Sequence, residues 1–200
     1  NPIFIALRHT TDRHKIPGAT LEKLLTAFKR DINFTQARSM DDHLDYCTYS
    51  ANPVGELVLR IHGAYNSETA VLSDKICTGL QLVNFWQDLS RDIKIGRHFI
   101  PKDFMSKFEL TKENLFDEKN STKLKLCLNE LYDYSESLFD EGRELIPHLP
   151  GFRLKKEIGV TIEGGMRILN KSRSLGSEII YMRPKLNGID IASILFRAFF

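Results

Sequence analysis

The sequence predicts an all-α protein. Apolar residues recur at helical spacing in one stretch after another. Residues that start and stop helices bound each stretch, and the alternation of a half-buried strand is absent throughout. The run Ile3–Leu7 and the polar stretch closing at Pro17-Gly18 read as the tail of one helix and a turn. Thr20 is placed to N-cap the next helix, whose Leu21, Leu24, Leu25 and Phe28 fall at i, i+3, i+4 and i+7. Ser39 with Asp41 and Asp42 starts a third helix, which turns Leu44, Cys47, Ala51, Val54, Leu57, Val58 and Ile61 inward and ends at Gly63. Pro53 lies inside it and predicts a kink, because proline removes a backbone hydrogen bond and crowds the preceding turn. Beside Ser50, Ala51 and Gly55 the kink makes either a packing notch or an opening along the helix.

Ser67 and Glu68 open a long helix that runs to Lys94. Pro101 to Phe108 is a short connection, and Thr111–Asn114 starts another short piece. Ser121 or Thr122 begins a helix with Leu124, Leu128, Leu131, Leu138 and Leu145 on its apolar side, closed by Pro147 and Pro150. The next spans Phe152 to Tyr181, with its pattern interrupted at Gly164-Gly165. A final amphipathic helix, Ile189–Phe200, follows the turn marked by Pro184 and Gly188. It carries Ile189, Ile191, Ala192, Leu195, Phe196, Phe199 and Phe200 on one side and Arg197 at the edge. That side either packs against the domain or makes a peripheral membrane contact through residues 189–200.

Two hundred residues suit one domain, residues 1–200, with a sizeable core. A hydrophobic share of 42% with 27% charged is ordinary for a globular chain. A net charge of +2, with no basic run, gives no footprint for nucleic acid. No stretch approaches the length of a membrane span. Cys47, Cys77 and Cys127 are odd in number and widely spaced, which reads as small core residues of a reducing, cytoplasmic compartment rather than disulfides or zinc ligands. The first residue is Asn rather than Met, so targeting is not legible here.

The chemistry concentrates in Gln81–Pro101, QLVNFWQDLSRDIKIGRHFIP. Asp92 lies one helical turn after Asp88, Asn84 one turn before it, and Gln81 almost one turn further back, so four oxygen-bearing side chains share one face. Like charges at i,i+4 repel. A hard divalent cation answers that repulsion, since Mg2+ takes oxygen ligands and bridges carboxylates to a substrate's phosphates. The competing reading is a solvated Asp pair neutralised by Arg91 and Lys94. Beyond the helix, Lys94, Arg97 and His98 offer cations suited to phosphate, and Arg97 can bind it at two points. Phe85 and Trp86 are either core or aromatic faces near a cation.

Gln81, Asn84, Asp88, Asp92, Gly96, Arg97 and Pro101 resemble the second aspartate-rich motif of the squalene/phytoene synthase family, QxxNxxxDxxxD followed by GRxxxP. YCTYSANPVG at Tyr46–Gly55 resembles the family's YCxxxAxxVG. SANPVG, FWQD and the late RPKL at Arg183–Leu186 are most similar to the hopanoid-pathway branch that makes hydroxysqualene. The resemblance covers essentially the whole chain. It implies an isoprenoid synthase helical bundle around a central cavity, lacking the first helices.

The same resemblance implies Mg2+ held by Asn84, Asp88 and Asp92, with Tyr46, Asp88 and Asp92 in catalysis and the Tyr46 ring near the cation. Ser50, Ala51, Gly55, Gln81, Asn84 and Arg97 would contact the substrate. That substrate is a prenyl diphosphate, presqualene or farnesyl diphosphate, and the reaction implied is conversion of presqualene diphosphate to hydroxysqualene without NADPH. The sister reactions making presqualene diphosphate, squalene or phytoene, and a non-catalytic assembly role, are the rival readings; a generic helical adaptor is a fourth. The family's first aspartate-rich motif, DxxxD, lies upstream of where this chain begins. Asp41, Asp42 and Asp45 do not take its place. The expectation is therefore a piece of a longer protein, holding half of the metal site and inactive by itself.

Overall fold

The computed structural model describes residues 1–199, and among them every regular element is helical. The helices are α1 (Pro2–Arg13), α2 (Gly18–Ile32), α3 (Met40–Ser50), α4 (Asn52–Ile61), α5 (Ser67–Gln87), α6 (Leu89–Asp92), α7 (Lys102–Lys107), α8 (Ser121–Gly142), α9 (Leu145–His148), α10 (Phe152–Leu175) and α11 (Gly188–Phe199). The core lies where α5, α8 and α10 pack together, with α4 against the open side of α5. Leu124, Leu128 and Leu131 on α8, Leu82 and Trp86 on α5, and Ile162 and Leu169 on α10 are fully buried. The buried indole of Trp86 donates from Nε1 to Ser135 Oγ at 3.0 Å, and that hydroxyl donates to the Leu131 carbonyl at 2.8 Å. The indole N–H is thereby satisfied, whereas the buried Tyr132 hydroxyl of α8 has no hydrogen-bond partner among the described residues.

α10 runs unbroken through Gly164-Gly165, against the interruption expected there. The glycine is a packing device: a Cβ on Gly165 would stand 2.7 Å from Phe139 Cζ and 2.9 Å from Leu80 Cδ2. The helix closes only at Leu175, and Gly176–Ile180 follow as a 3₁₀ turn.

Other boundaries differ for identifiable reasons. The long helix expected from Ser39 is two helices, because the chain leaves helical hydrogen bonding at Ala51 and Pro53 then sits in the first turn of α4, where its missing N–H costs nothing. Asn66, not Ser67, caps α5, exchanging hydrogen bonds with Thr69 in a capping box. α5 ends at Gln87 rather than near Lys94; Asp88 separates it from α6, and Ile93–Ile95 form a 3₁₀ turn.

α2 starts at Gly18, and Thr20 is buried within its first turn instead of capping it. The stripe of α2 that meets α3 and α4 runs Thr20, Leu24, Ala27, Asp31, whereas Leu25 and Phe28 face outward. α11 also presents the side opposite to an ordinary amphipathic fit. Its buried residues are Asp190 and Ile194, while Ile189, Ile191, Ala192, Leu195 and Phe196 are exposed. Phe200 and the Phe199 side chain, expected on that face, lie outside the described residues. The Asp190 carboxylate anchors the helix, accepting from Arg167 Nε at 2.6 Å, from Lys171 Nζ and from the Asn187 N–H at 2.8 Å. Three donors hold this carboxyl well below the usual carboxylate range, the Lys171 hydrogen bond most of all.

Candidate active site

α5 sets the axis of the site. Ser73, Cys77 and Leu80 on one face line an apolar cavity of about 190 Å³, closed on the far side by Val58, Leu149 and Ile158. At 1.5 Å per residue, the same face reaches Asn84 and then Asp88 about 12 Å beyond Leu80. An apolar chamber and a carboxylate end therefore lie along one helix. Gly55 of α4 also lines the chamber, and α4 approaches α5 so closely there that a Cβ on Gly55 would collide with Ser73 Oγ and Cys77 Sγ.

At the polar end, the Asp88 carboxylate is held by a residue that helical periodicity did not indicate. Arg183 donates from Nε to Oδ1 and from Nη2 to Oδ2, the latter at 3.3 Å. Gln87 Nε2 donates to the Pro184 carbonyl at 2.8 Å and fixes the segment that brings Arg183 in. Asp92, one turn on, is half-buried. Burial first, and the neighbouring Asp88 charge second, raise its pKa, against the pull of Arg97 and Arg91. Asn84 is exposed and Gln81 half-buried on the same side. Among the described residues no three His, Cys, Asp or Glu side chains gather at a point. What the chain offers a metal is two carboxylates and the Asn84 amide oxygen, an all-oxygen set in which the half-buried Asp92 feels the like charge of Asp88. That set fits a hard divalent ion such as Mg2+.

The remaining expected residues form a second cluster. Tyr46 of α3 donates its hydroxyl to Asp31 Oδ1 at 2.8 Å, and Arg97 Nη2 donates to the Asp31 carbonyl at 3.2 Å. Asp31 is thus the shared acceptor of two residues singled out from the motifs. Burial, reinforced by the Asp31 hydrogen bond, drives the Tyr46 phenol far above its ordinary pKa. Ser50 Oγ, also on α3, is buried with no hydrogen-bond partner among the described residues, an orphan of the kind that bound water or ligand satisfies. Ala51 is buried at the break between α3 and α4. His98, expected as a phosphate-binding cation, has its pKa lowered by burial and is neutral near pH 7. Phe85 and Trp86 are core: Trp86 is fully buried, and the Phe85 ring stacks on Phe99 at 4.2 Å.

A strandless bundle with an apolar chamber under a carboxylate-bearing helix end has the architecture of the terpenoid-synthase-like squalene synthases. The squalene synthase HpnC of Alicyclobacillus acidocaldarius superposes with a TM-score of 0.83 at 35% identity, over 88% of this chain and 66% of that one. A dehydrosqualene synthase solved with a ligand gives 0.89 at 22% identity, over 99% of this chain and 70% of that one, a likeness of fold alone. Hydroxysqualene synthases of Sinorhizobium fredii and Rhodopseudomonas palustris are 34% and 32% identical over 90% and 92% of this chain. This chain spans 62% and 63% of their lengths. The squalene/phytoene synthase family model matches residues 1–189, and the chain belongs to that family.

Proposed function

We propose that this chain carries the diphosphate-ionising part of a head-to-head prenyl synthase that converts presqualene diphosphate to hydroxysqualene. The observation that carries the reading is the gradient along α5, from the chamber at Cys77 and Leu80 to the carboxylates at Asp88 and Asp92. A prenyl diphosphate has the same polarity, a hydrocarbon chain with a polyanion at one end. In this reading the chain's tail lies against Gly55, Val58 and Leu80 while the diphosphate sits toward Asn84, Asp88 and Asp92. Mg2+ bound there supplies Lewis-acid stabilisation of the departing diphosphate.

The residues of the chain do the rest. Arg183 and Arg91, both at Asp88, supply cations for the leaving group's oxygens. Tyr46 presents its ring and phenol oxygen beside the carbocation. The apolar walls keep out bulk water, so that a single water closes the reaction. The C–O bond to diphosphate breaks with its electron pair leaving on diphosphate. The cyclopropylcarbinyl cation so formed rearranges, a ring C–C bond opening to give an allylic cation; water oxygen bonds to that cation's carbon, and the proton it sheds passes to the released diphosphate. No reductant is consumed, which is why NADPH is not part of the proposal. The hydroxysqualene synthases named above favour this product over squalene or phytoene.

Product analysis tests the reading. A protein of the relatives' full length that contains this chain is given presqualene diphosphate and farnesyl diphosphate separately, with Mg2+, with and without NADPH. Hydroxysqualene formed from presqualene diphosphate in the absence of NADPH, and lost in Asp88→Ala, supports it. Squalene formed only with NADPH assigns the sister reaction, and no product from folded protein assigns the non-catalytic role.

A further inference from the structure

We propose that Asp31 is a positioning residue for the proposed reaction, one that fixes the Tyr46 phenol and the Arg97 guanidinium in a single arrangement. The proposal rests on the functional reading above.

The placement of Asp31 is itself unusual. It continues the stripe of α2 that begins at Thr20 and Ala27, which are 3% and 1% exposed, so periodicity calls for a small or apolar residue there. A carboxylate stands in its place and is used twice over. Its Oδ1 accepts from Tyr46 at 2.8 Å, and its backbone carbonyl accepts from Arg97 at 3.2 Å. The Arg97 guanidinium carbon lies 5.8 Å from the centre of the Phe34 ring, which limits its freedom further. Asp31 comes from α2, Tyr46 from α3 and Arg97 from the segment before α7, and among the described residues Asp31 alone is hydrogen-bonded to both of the others.

Two consequences follow for the chemistry. A phenol whose proton is committed to a carboxylate turns its lone pairs away from that carboxylate and carries more negative charge on oxygen. The face of Tyr46 presented to the site then stabilises positive charge better than a freely rotating phenol. The other charged or titratable groups lining the same cavity are Arg30, held by Asp45 at 2.7 Å, Arg38, held by Asp42 at 2.8 Å, His43, bonded to the Phe99 carbonyl, and Lys102, so the two arginines already have carboxylate partners of their own. Asp31 is left to act on Tyr46 and Arg97. These groups border a cavity of about 450 Å³ walled by Phe34, Phe85 and Phe99.

The test is a double-mutant cycle on the intact protein with Asp31→Asn, Tyr46→Phe and the pair, read by steady-state kinetics on presqualene diphosphate and by NMR titration of ring-labelled tyrosine. Asp31→Asn keeps the shape and an acceptor oxygen but removes the charge. The expected result is a fall in kcat of about 10- to 100-fold with KM unchanged, little further loss when Asp31→Asn is added to Tyr46→Phe, and a lowered Tyr46 phenol pKa in Asp31→Asn. A purely packing role would not move the phenol titration. Additive losses in the cycle, or an unshifted phenol, overturn the proposal while leaving the functional reading intact. A wild-type protein that turns over no prenyl diphosphate overturns both.

Discussion

Arg183 and Asp88 are 95 residues apart in sequence and lie guanidinium to carboxylate, both donors of one meeting both oxygens of the other. Their side chains are 24% and 18% exposed, so neither charge is well served by water. Arg183 stands where a cation is needed and supplies it from within the chain. Arg183→Ala should cost about 1–3 kcal/mol by leaving the half-buried Asp88 with only the more distant, exposed Arg91 at 4.0 Å. For a chain of this size that is a fall in Tm of roughly 2–12 °C. Mg2+ should recover part of the loss, and differential scanning calorimetry with and without Mg2+ measures both. Equal losses in the two conditions would separate Arg183 from the metal site.

Asp92 yields a prediction of opposite sign. Its folded-state pKa is raised, so the folded chain holds a proton that the unfolded chain releases. Stability is therefore lost as pH climbs past the ordinary carboxylate value, and the full penalty of the charge persists at neutral pH. Asp92→Asn should raise the Tm of the metal-free protein near pH 7 and abolish the stabilisation that Mg2+ gives the wild type. A variant that is less stable than wild type without metal would contradict the burial-driven shift.

His43 makes the opposite pH contribution. Burial lowers its pKa, and the neutral ring donates from Nε2 to the Phe99 carbonyl at 2.7 Å. Unfolded histidine takes up a proton near pH 6.5, before the folded one does. The contribution is thus complete above about pH 6.5 and is lost as pH falls from there toward the lower folded pKa. Urea unfolding at several pH values, followed by the fluorescence of Trp86, the sole tryptophan, should show this loss, and His43→Asn should flatten it.

Gly165→Ala tests the packing of α10. The added methyl would meet Phe139 and Leu80 at distances that force one of them to move. Overpacking of this kind costs about 1–3 kcal/mol, with a fall in Tm and no change in the pH dependence. An unchanged Tm would show that the core around Phe139 relaxes freely.

α11 carries the prediction about lipid. Its outward Ile191 and Leu195 are 52% and 45% exposed, while Asp190 and Ile194 hold it to the domain. If this face meets a lipid surface, Ile191→Glu with Leu195→Glu should abolish co-sedimentation with anionic vesicles and leave the Tm unchanged, because neither residue is part of the Asp190 anchor. Equal partitioning of variant and wild type removes the membrane contact.

The helical class and the start and apolar side of α8 were legible because each rests on local spacing, whereas the expected continuation through Leu145 was not met: α8 ends at Gly142, and Leu145 opens α9. Leu124, Leu128, Leu131 and Leu138 repeat at intervals that only a helix brings to one side. Of the candidate site, part of the grouping was legible. Tyr46 and Arg97 were identified by motif, but Asp31, their common acceptor, hid in an unremarkable helix. Arg183 was visible only as a word, RPKL, since nothing in spacing tells which carboxylate a residue so distant will meet. For α11 the sequence left both directions open: periodicity finds an apolar side, but Asp190 shows that a buried ionic anchor decides which side turns in.

The interruption between α5 and α6 has a mechanical meaning. The two carboxylates would stand at a fixed pitch on one unbroken rod, but the chain lapses from helix for a single residue, and that residue is Asp88 itself, at φ −94° and ψ 5°. Asp88 belongs to the end of the rod and Asp92 to a short piece beyond it. The spacing of the two carboxylates is therefore set at this joint, where the Asp92 N–H still reaches the Asp88 carbonyl at 2.9 Å, and not by the pitch of one continuous helix.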